Sequence, residues 1–488
     1  MIVLDARTLG IEGVARAVDR PPSQVAADVT RAVEAIVADV RARGDAALLE
    51  YTARFDDFRA ASVPALAIAT AELDAAERAI EPPVRAALAY AAERIERYHS
   101  VALPKSWRLT DEHGSMLGQE VRALDRVGIY VPGGRAAYPS TVLMTAVPAR
   151  VAGVREIVLV TPPGPEGWVP PAVLAAARIA GVTEGWRLGG AQAIAALAYG
   201  TESLRRVDKI VGPGNVYVAL AKARVFGDVG IDMVAGPSEV IVVADRAADP
   251  AWIAADLLAQ AEHDPMARAL LITDAPELFP RVEAALAAQL EQLPRRAIAG
   301  QALAANGAFV LVADLEGAID VANRLAPEHL ELMVAVPAAL LPRVRHAGAI
   351  FLGAHTPEVV GDYVAGPNHV LPTGGTARFA SPLGTEDFVK RSSVIEFSPS
   401  GLAAALPHLA ALARIEGLAG HGRAAELRAS EPRAEESHAA EPRVSQARPP
   451  ADRPGHPAPA TNEPRASQAR PPADRTGHTA PATKEPHG

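Results

Sequence analysis

Short β-branched strands alternate with alanine-rich helices from about residue 127 to residue 352, and this constrains the 488-residue chain more than any other feature. Strands are expected at 127–131, 157–160, 184–188, 209–211 and 231–234, with helices at 140–152, 171–180, 191–199 and 216–225 between them. The pattern then restarts. Strands are expected at 240–244, 270–272, 308–312, 330–334 and 349–352, again separated by helices. Such alternation buries its apolar faces best as a parallel sheet covered by helices on both sides. The restart divides it into two α/β domains meeting near residues 235–239. The expected fold class is therefore α/β: two Rossmann-like parallel-sheet domains with small N- and C-terminal helical units and a disordered C-terminal tail. Residues 26–100 carry helical periodicity and read as a helical cover, and residues 380–428 as a strand plus helices.

Composition narrows the chemistry. The chain has no cysteine, which removes disulfides, thiolate zinc sites, iron–sulfur clusters and cysteine nucleophiles. The net charge is −9, and residues 430–488 hold eight acids and eight bases, so the excess acidity lies in residues 1–429. No basic stripe is visible and aromatics are scarce, which argues against nucleic-acid binding. The N-terminus lacks a secretory pattern and no run is long enough to span a bilayer, so a soluble, cytoplasmic protein is expected. In the tail, Glu441-Pro-Arg-Val-Ser-Gln-Ala-Arg recurs at Glu463-Pro-Arg-Ala-Ser-Gln-Ala-Arg, a period of 22 residues. A segment so poor in large apolar residues cannot bury a core.

Four stretches could carry chemistry. In Leu257-Leu-Ala-Gln260-Ala-Glu-His263-Asp264-Pro265, a helix started by Asp249-Pro250 and stopped by Asp264-Pro265 places Gln260 and His263 on one face. An amide oxygen and a neutral imidazole can hold half of a metal shell, although a helix end with a satisfied core histidine accounts for the same spacing. Next, Ala326-Pro327-Glu328-His329-Leu-Glu331 places Glu328 and His329 at the start of a strand, on opposite faces, where they flank a ligand or form a solvent-exposed edge pair. A histidine there suits a general base and the glutamate could activate water. Asp362 and His369 share a glycine-bracketed loop, and Glu416 and His421 precede the tail. If Gln260, His263, Asp362 and His421 converge, the two imidazoles, carboxylate and amide suit zinc. Separately, polar loops follow three strands of the first domain, and each brings a ring or an amide: Tyr130, Gln192 and Asn215. Taken singly each is a turn, and together they outline one crevice at the carboxyl ends of a parallel sheet. No G-x-G-x-x-G fingerprint is present.

Together these motifs resemble the histidinol dehydrogenase family. The matching stretches are Val127-Gly-Ile-Tyr-Val-Pro-Gly-Gly-Arg135, Gly189-Gly-Ala-Gln-Ala-Ile194, Lys209-Ile-Val-Gly-Pro-Gly-Asn215, Ala235-Gly-Pro-Ser-Glu239, Gln260-Ala-Glu-His263, Ala326-Pro-Glu-His-Leu-Glu331, Asn368-His-Val-Leu-Pro-Thr-Gly-Gly-Thr376 and the Glu416-to-His421 spacing. The resemblance covers residues 1–428. It implies oxidation of L-histidinol to L-histidine through the aldehyde, the last two steps of histidine biosynthesis, with two NAD and one zinc ion per subunit. It implies zinc on Gln260, His263, Asp362 and His421. Those four residues would hold substrate together with Ser238, His329 and Glu416. NAD would lie on Tyr130, Gln192 and Asn215, and Glu328 and His329 would be the acid–base pair. A homodimer is implied in which Glu416 and His421 act across the interface. On this reading residues 1–25 are an N-terminal segment, 26–126 plus 236–379 carry the metal and catalytic residues, and 127–235 bind NAD. Residues 380–428 contact the second subunit, and 429–488 form a disordered repeat tail outside the family pattern.

Without cysteine the aldehyde cannot be held as a thiohemiacetal, so the second oxidation passes through a hydrate. Three rivals remain, the first two being a zinc- and NAD-dependent relative acting on another polar alcohol and a zinc hydrolase. A binding protein without activity is a third, against which every family position checked is filled.

Overall fold

The alternating strands and helices build two six-stranded sheets with the same winding. In sheet order the first runs Ala67–Ile68, Glu184–Arg187, Glu156–Thr161, Arg126–Tyr130, Lys209–Val211, Gly230–Ile231. The second runs Ile2–Asp5, Ala308–Leu311, Arg268–Thr273, Glu239–Ala244, His329–Met333, Ala349–Leu352. The short strand Ala67–Ile68 pairs antiparallel with Glu184–Arg187, and every other neighbour in these two sheets is parallel. In each sheet a central strand comes first among the alternating ones, and the next two strands add on one side. The chain then crosses back to the other side. In folds wound this way the loops on either side of that reversal diverge, which opens a crevice beside the central strand. Arg126–Tyr130, Glu239–Ala244 and His329–Met333 are buried along their whole length, as strands covered by helices on both faces must be.

The computed structural model describes residues 1–18, 27–133, 137–234 and 236–429. The tail expected to be disordered lies outside them, as do Gly134, Arg135 and Ala235 of the family-like loops. Among the described residues no helix is long and apolar enough to cross a membrane.

Two expected divisions need correction. Helices Ala27–Arg43 and Asp45–Phe55 cover one face of the first sheet, where Val33, Val37 and Leu48 share a core with Val158 and Leu197. Helices Thr70–Ala79 and Pro82–Val101 cover the other, where Leu73, Leu88 and Ile95 pack with Val127 and Ile129. Residues 27–101 therefore belong with 127–234, not with the sheet that follows. Amphipathic periodicity shows that a helix buries a stripe, but not which sheet receives it. Likewise the N-terminal segment is no separate unit. Ile2–Asp5 pairs with Ala308–Leu311, and Val14 and Val18 pack against Ile241.

A third, antiparallel sheet was only partly expected: Val389–Glu396, Met116–Ala123, Trp107–Thr110. The chain divides after Pro407 into two compact units. The second, described to residue 429, holds the end of helix Pro399–Ile415 and helix Ala419–Ala429, with Ala413, Gly422 and Ala425 buried within it.

Candidate active site

Helix Leu315–Leu325 ends where Ala326 adopts a left-handed conformation, φ 52°, with no glycine to ease it. Pro327 and Glu328 then form a short connection, and the strand opens at His329. Glu328 thus precedes the strand, so the alternation expected to send it and His329 to opposite faces does not operate. Instead the two converge: His329 Nδ1 lies 3.8 Å from Glu328 Oε2. Both are buried, 4% and 6% exposed, which removes the reading of an edge pair in solvent.

Neighbouring strands complete the cluster. The strand Glu239–Ala244 lies in register with His329, Val240 opposite it. The Glu239 N–H donates to Glu328 Oε2 at 3.0 Å, and Ser238 adds a hydrogen bond to the same carboxylate. His329 Nδ1 faces two acceptors at 3.2 Å, the Glu239 carbonyl and the Gln260 side-chain oxygen. A nitrogen facing two oxygens carries the proton, which leaves Nε2 with its lone pair. Burial lowers the imidazole pKa to about 4, Asp362 opposing this and His263 and His369 reinforcing it, so His329 is neutral at physiological pH. Burial raises Glu328 well above the ordinary carboxylate range, with Glu239 and Asp362 adding repulsion.

Gln260 comes from helix Pro250–Ala261, started as expected by Asp249, whose side chain accepts from the Ala251 N–H at 2.8 Å. The helix ends at Ala261, earlier than the Asp264-Pro265 stop implied. His263 therefore sits in the following turn, exposed, with its N–H on the Gln260 carbonyl. Asp362 lies half-buried in helix Glu358–Tyr363. Ligand atoms of His329, Glu358 and Asp362 all lie within 4.8 Å of one another, and His329 Nδ1 is 3.6 Å from Glu358 Oε1. Glu358 Oε2, Glu331 Oε2 and Gln260 Nε2 are buried without a hydrogen-bond partner. Buried oxygens crowded together and left unsatisfied are the donor set of a divalent cation. Behind Glu358, Glu331 accepts its N–H at 2.7 Å and shares a hydrogen bond with buried Asp256.

The sequence reading missed Glu358, Glu331 and Asp256. Glu358 follows Pro357 in a first helical turn, where an acid ordinarily just complements the helix dipole. This cluster also sits at the amino-terminal ends of its strands. The rule that places ligands at carboxyl ends would point instead to the other sheet. Residues 364–371 pack onto the first sheet's helices: Asn368 donates to the Met144 carbonyl at 2.6 Å, and Val370 lies in the core of the first sheet.

At that first sheet's carboxyl edge, Tyr130 and Gln192 are both buried. The Gly190 N–H donates to the Tyr130 hydroxyl at 3.2 Å, and Gln192 Oε1 is left without a partner. Asn215 caps helix Val216–Val225, accepting from the N–H groups of Tyr217 and Val218. Its side-chain oxygen is thereby committed, which leaves its amide N–H groups for a ligand. Gly212, at φ 114°, abuts Tyr130 so closely that a Cβ there would lie 2.2 Å from the Tyr130 carbonyl oxygen. A buried Lys222–Asp232 ion pair clamps this loop, Lys222 donating to the Gly212 carbonyl and Asp232 accepting the Gly212 N–H, each at 2.8 Å.

The family model for histidinol dehydrogenase matches residues 19–429. The chain belongs to the histidinol dehydrogenase family. A histidinol dehydrogenase of Chromobacterium violaceum is 58% identical over 401 residues, 82% of this chain and 92% of the relative. One of Geobacter sulfurreducens is 52% identical over 428 residues, 88% of this chain and all of the relative. The crystal structure of histidinol dehydrogenase from Elizabethkingia anophelis superposes with a TM-score of 0.83 at 34% identity, covering 88% of this chain and 98% of that one. As a member of this family the protein is an enzyme, an oxidoreductase. Of the positions that the histidinol dehydrogenase resemblance picks out, Ser238, Gln260, Glu328, His329 and Asp362 meet in the first unit, with His263 within electrostatic reach of His329. Glu416 and His421 are exposed residues of the second unit.

Proposed function

We propose that the enzyme oxidises L-histidinol to L-histidine through L-histidinaldehyde, with two NAD and one zinc ion per subunit. The observation that carries this reading is the neutral, buried His329, with Nδ1 turned to Gln260 and Glu239 and its Nε2 lone pair free.

Zinc, when bound, supplies a Lewis-acidic anchor for the imidazole and amine of the substrate. Gln260, His263 and Asp362 would hold it, and the family pattern supplies a fourth ligand, His421, from a second copy of the chain. Asp362, whose carboxylate lies within 4.8 Å of ligand atoms of His329 and Glu358, supports a cation there. NAD, when bound, takes one hydride in each half-reaction. Tyr130, Gln192 and Asn215 would hold it, and the orphaned Gln192 oxygen, together with the close approach allowed at Gly212, suits it.

The chain's own residues then act in order. His329 Nε2 takes the hydroxyl proton of histidinol as the carbinol C–H bond breaks and the aldehyde forms. Glu328 removes a proton from water as it adds to the aldehyde carbon, and His329 returns its proton to the aldehyde oxygen, which gives the hydrate and leaves the imidazole neutral again. Burial raises the pKa of Glu328, which makes its carboxylate a stronger base than an exposed glutamate. His329 next takes a hydroxyl proton of the hydrate as the second C–H bond breaks, giving the carboxylate. Ser238 orients Glu328, and Ser238, His329, Glu416 and the metal ligands would hold substrate, Glu416 acting from a second subunit in a homodimer. Substrate-dependent NADH formation on a panel of polar alcohols tests this: histidinol must be strongly preferred, and equal rates with unrelated alcohols would refute it.

A further inference from the structure

The cofactor crevice contains an acid to which the family resemblance gives no role. Asp56 follows helix Asp45–Phe55, and its backbone N–H donates to the Thr52 carbonyl at 3.0 Å. The next residue, Asp57, holds φ at 50°, an unusual conformation for a non-glycine residue, which turns the chain sharply. That turn delivers the Asp56 carboxylate to the carboxyl edge of the first sheet. Gln192 Nε2 donates to Asp56 Oδ2 at 3.4 Å. A Cβ on Gly189 would lie 3.0 Å from Asp56 Oδ1 and 2.5 Å from Pro162 Cβ, and one on Gly133 would lie 2.7 Å from Pro162 Cγ. The loops after Arg126–Tyr130, Glu156–Thr161 and Glu184–Arg187 therefore meet around Pro162, and the last of them borders the Asp56 carboxylate through Gly189 and Gln192.

Dinucleotide folds with this strand order place an acid at the end of the second strand, where it accepts hydrogen bonds from the adenosine ribose. Here that position reads Thr161-Pro162-Pro163-Gly164, with no acid. Asp56 reaches the same loops from outside the sheet. Among the described residues no lysine or arginine pairs with it, and the Gln192 amide is a long, weak donor. Burial pushes its pKa up to about 6, as expected of a carboxylate short of donors.

We propose that Asp56 is a cofactor-binding and specificity residue, whose carboxylate accepts hydrogen bonds from the adenosine ribose hydroxyls of NAD and repels the 2′-phosphate of NADP. This rests on reading the crevice as the dinucleotide site. The two ribose hydroxyls supply the missing donors, whereas a phosphate in their place sets like charges together in a partly buried site.

Equilibrium binding of NAD and of NADP to the zinc-loaded, full-length protein, followed by calorimetry, tests it. Wild type binds NAD well over tenfold more tightly than NADP. Asp56→Asn, which keeps the shape, and Asp56→Ser, which removes the bulk, weaken NAD by about tenfold, the scale of a lost charge-assisted hydrogen bond. Both bring the NADP-to-NAD ratio toward one. An unchanged ratio in both variants overturns the proposal but leaves the cofactor site standing. Failure of the wild type to bind NAD overturns the reading of the crevice itself.

Discussion

The Nδ1 atom of His329 lies 3.2 Å from the side-chain oxygen of Gln260, 69 residues away in sequence. One residue is held by a strand start and the other by the last turn of a helix, so neither can be repositioned without disturbing the second sheet. The contact fixes which imidazole nitrogen is free to work. It also ties the base to a side chain expected to hold metal.

His329→Asn is expected to lower turnover by about 10²–10⁴, the range for loss of a general base. Zinc binding remains, because its ligands are other residues. Steady-state kinetics with zinc content by elemental analysis check this, and near-normal turnover would remove the role.

Glu328→Gln keeps the hydrogen bond from the Glu239 N–H but cannot take a proton from water. The oxidation of supplied histidinaldehyde is expected to slow far more than the oxidation of histidinol to the aldehyde. Stopped-flow NADH traces for each half-reaction give the comparison, and equal losses would argue against water activation by Glu328.

The metal site offers a sharper choice. Crowding alone groups His329 and Glu358 with Asp362, whereas the family pattern assigns Gln260, His263 and Asp362. His263→Asn and Asp362→Asn are expected to empty the site, and Glu358→Gln to leave it filled. Elemental analysis after dialysis decides, and zinc lost from Glu358→Gln but kept in His263→Asn would reverse the assignment.

Far from the site, His99 in helix Pro82–Val101 is 2% exposed, neither ring nitrogen has a partner, and burial lowers its pKa to about 4. The folded pKa lies below the unfolded value of 6.5, so the unfolded chain protonates first as pH falls. The stability held by the neutral ring is complete above pH 6.5 and is lost between 6.5 and about 4, on the order of 3 kcal/mol at most. Denaturant melts across this window are expected to show wild type losing stability as pH falls while His99→Phe loses markedly less, so the two pH slopes differ. Identical pH profiles would show that another group dominates.

The fold was legible because parallel strands buried on both faces leave continuous apolar runs, and Val240-Ile-Val-Val-Ala244 could hardly be anything else. Residues 27–101 were assigned to the wrong sheet because the periodicity of Val33, Ile36, Val37 and Val40 names a buried stripe and not its neighbour. Strands 107–110 and 116–123 escaped because the first is exposed throughout and the second mostly half-buried, with weak apolar alternation. At the site, His329 and Gln260 could be named from sequence because motifs carry them. Glu358, Glu331 and Asp56 could not. Their burial comes from tertiary contacts with residues 27 or more positions away, and an isolated acid in a helical turn looks the same whether solvent or a ligand faces it.

The central claim is that one site with a neutral imidazole base and no thiol carries the substrate through two successive oxidations. It is tested most directly by counting NADH formed per histidinol consumed at completion, with and without a zinc chelator. The account predicts two NADH per histidinol, with histidine as product, and loss of turnover once the metal is removed. One NADH with accumulated aldehyde, or product without NADH, would contradict it.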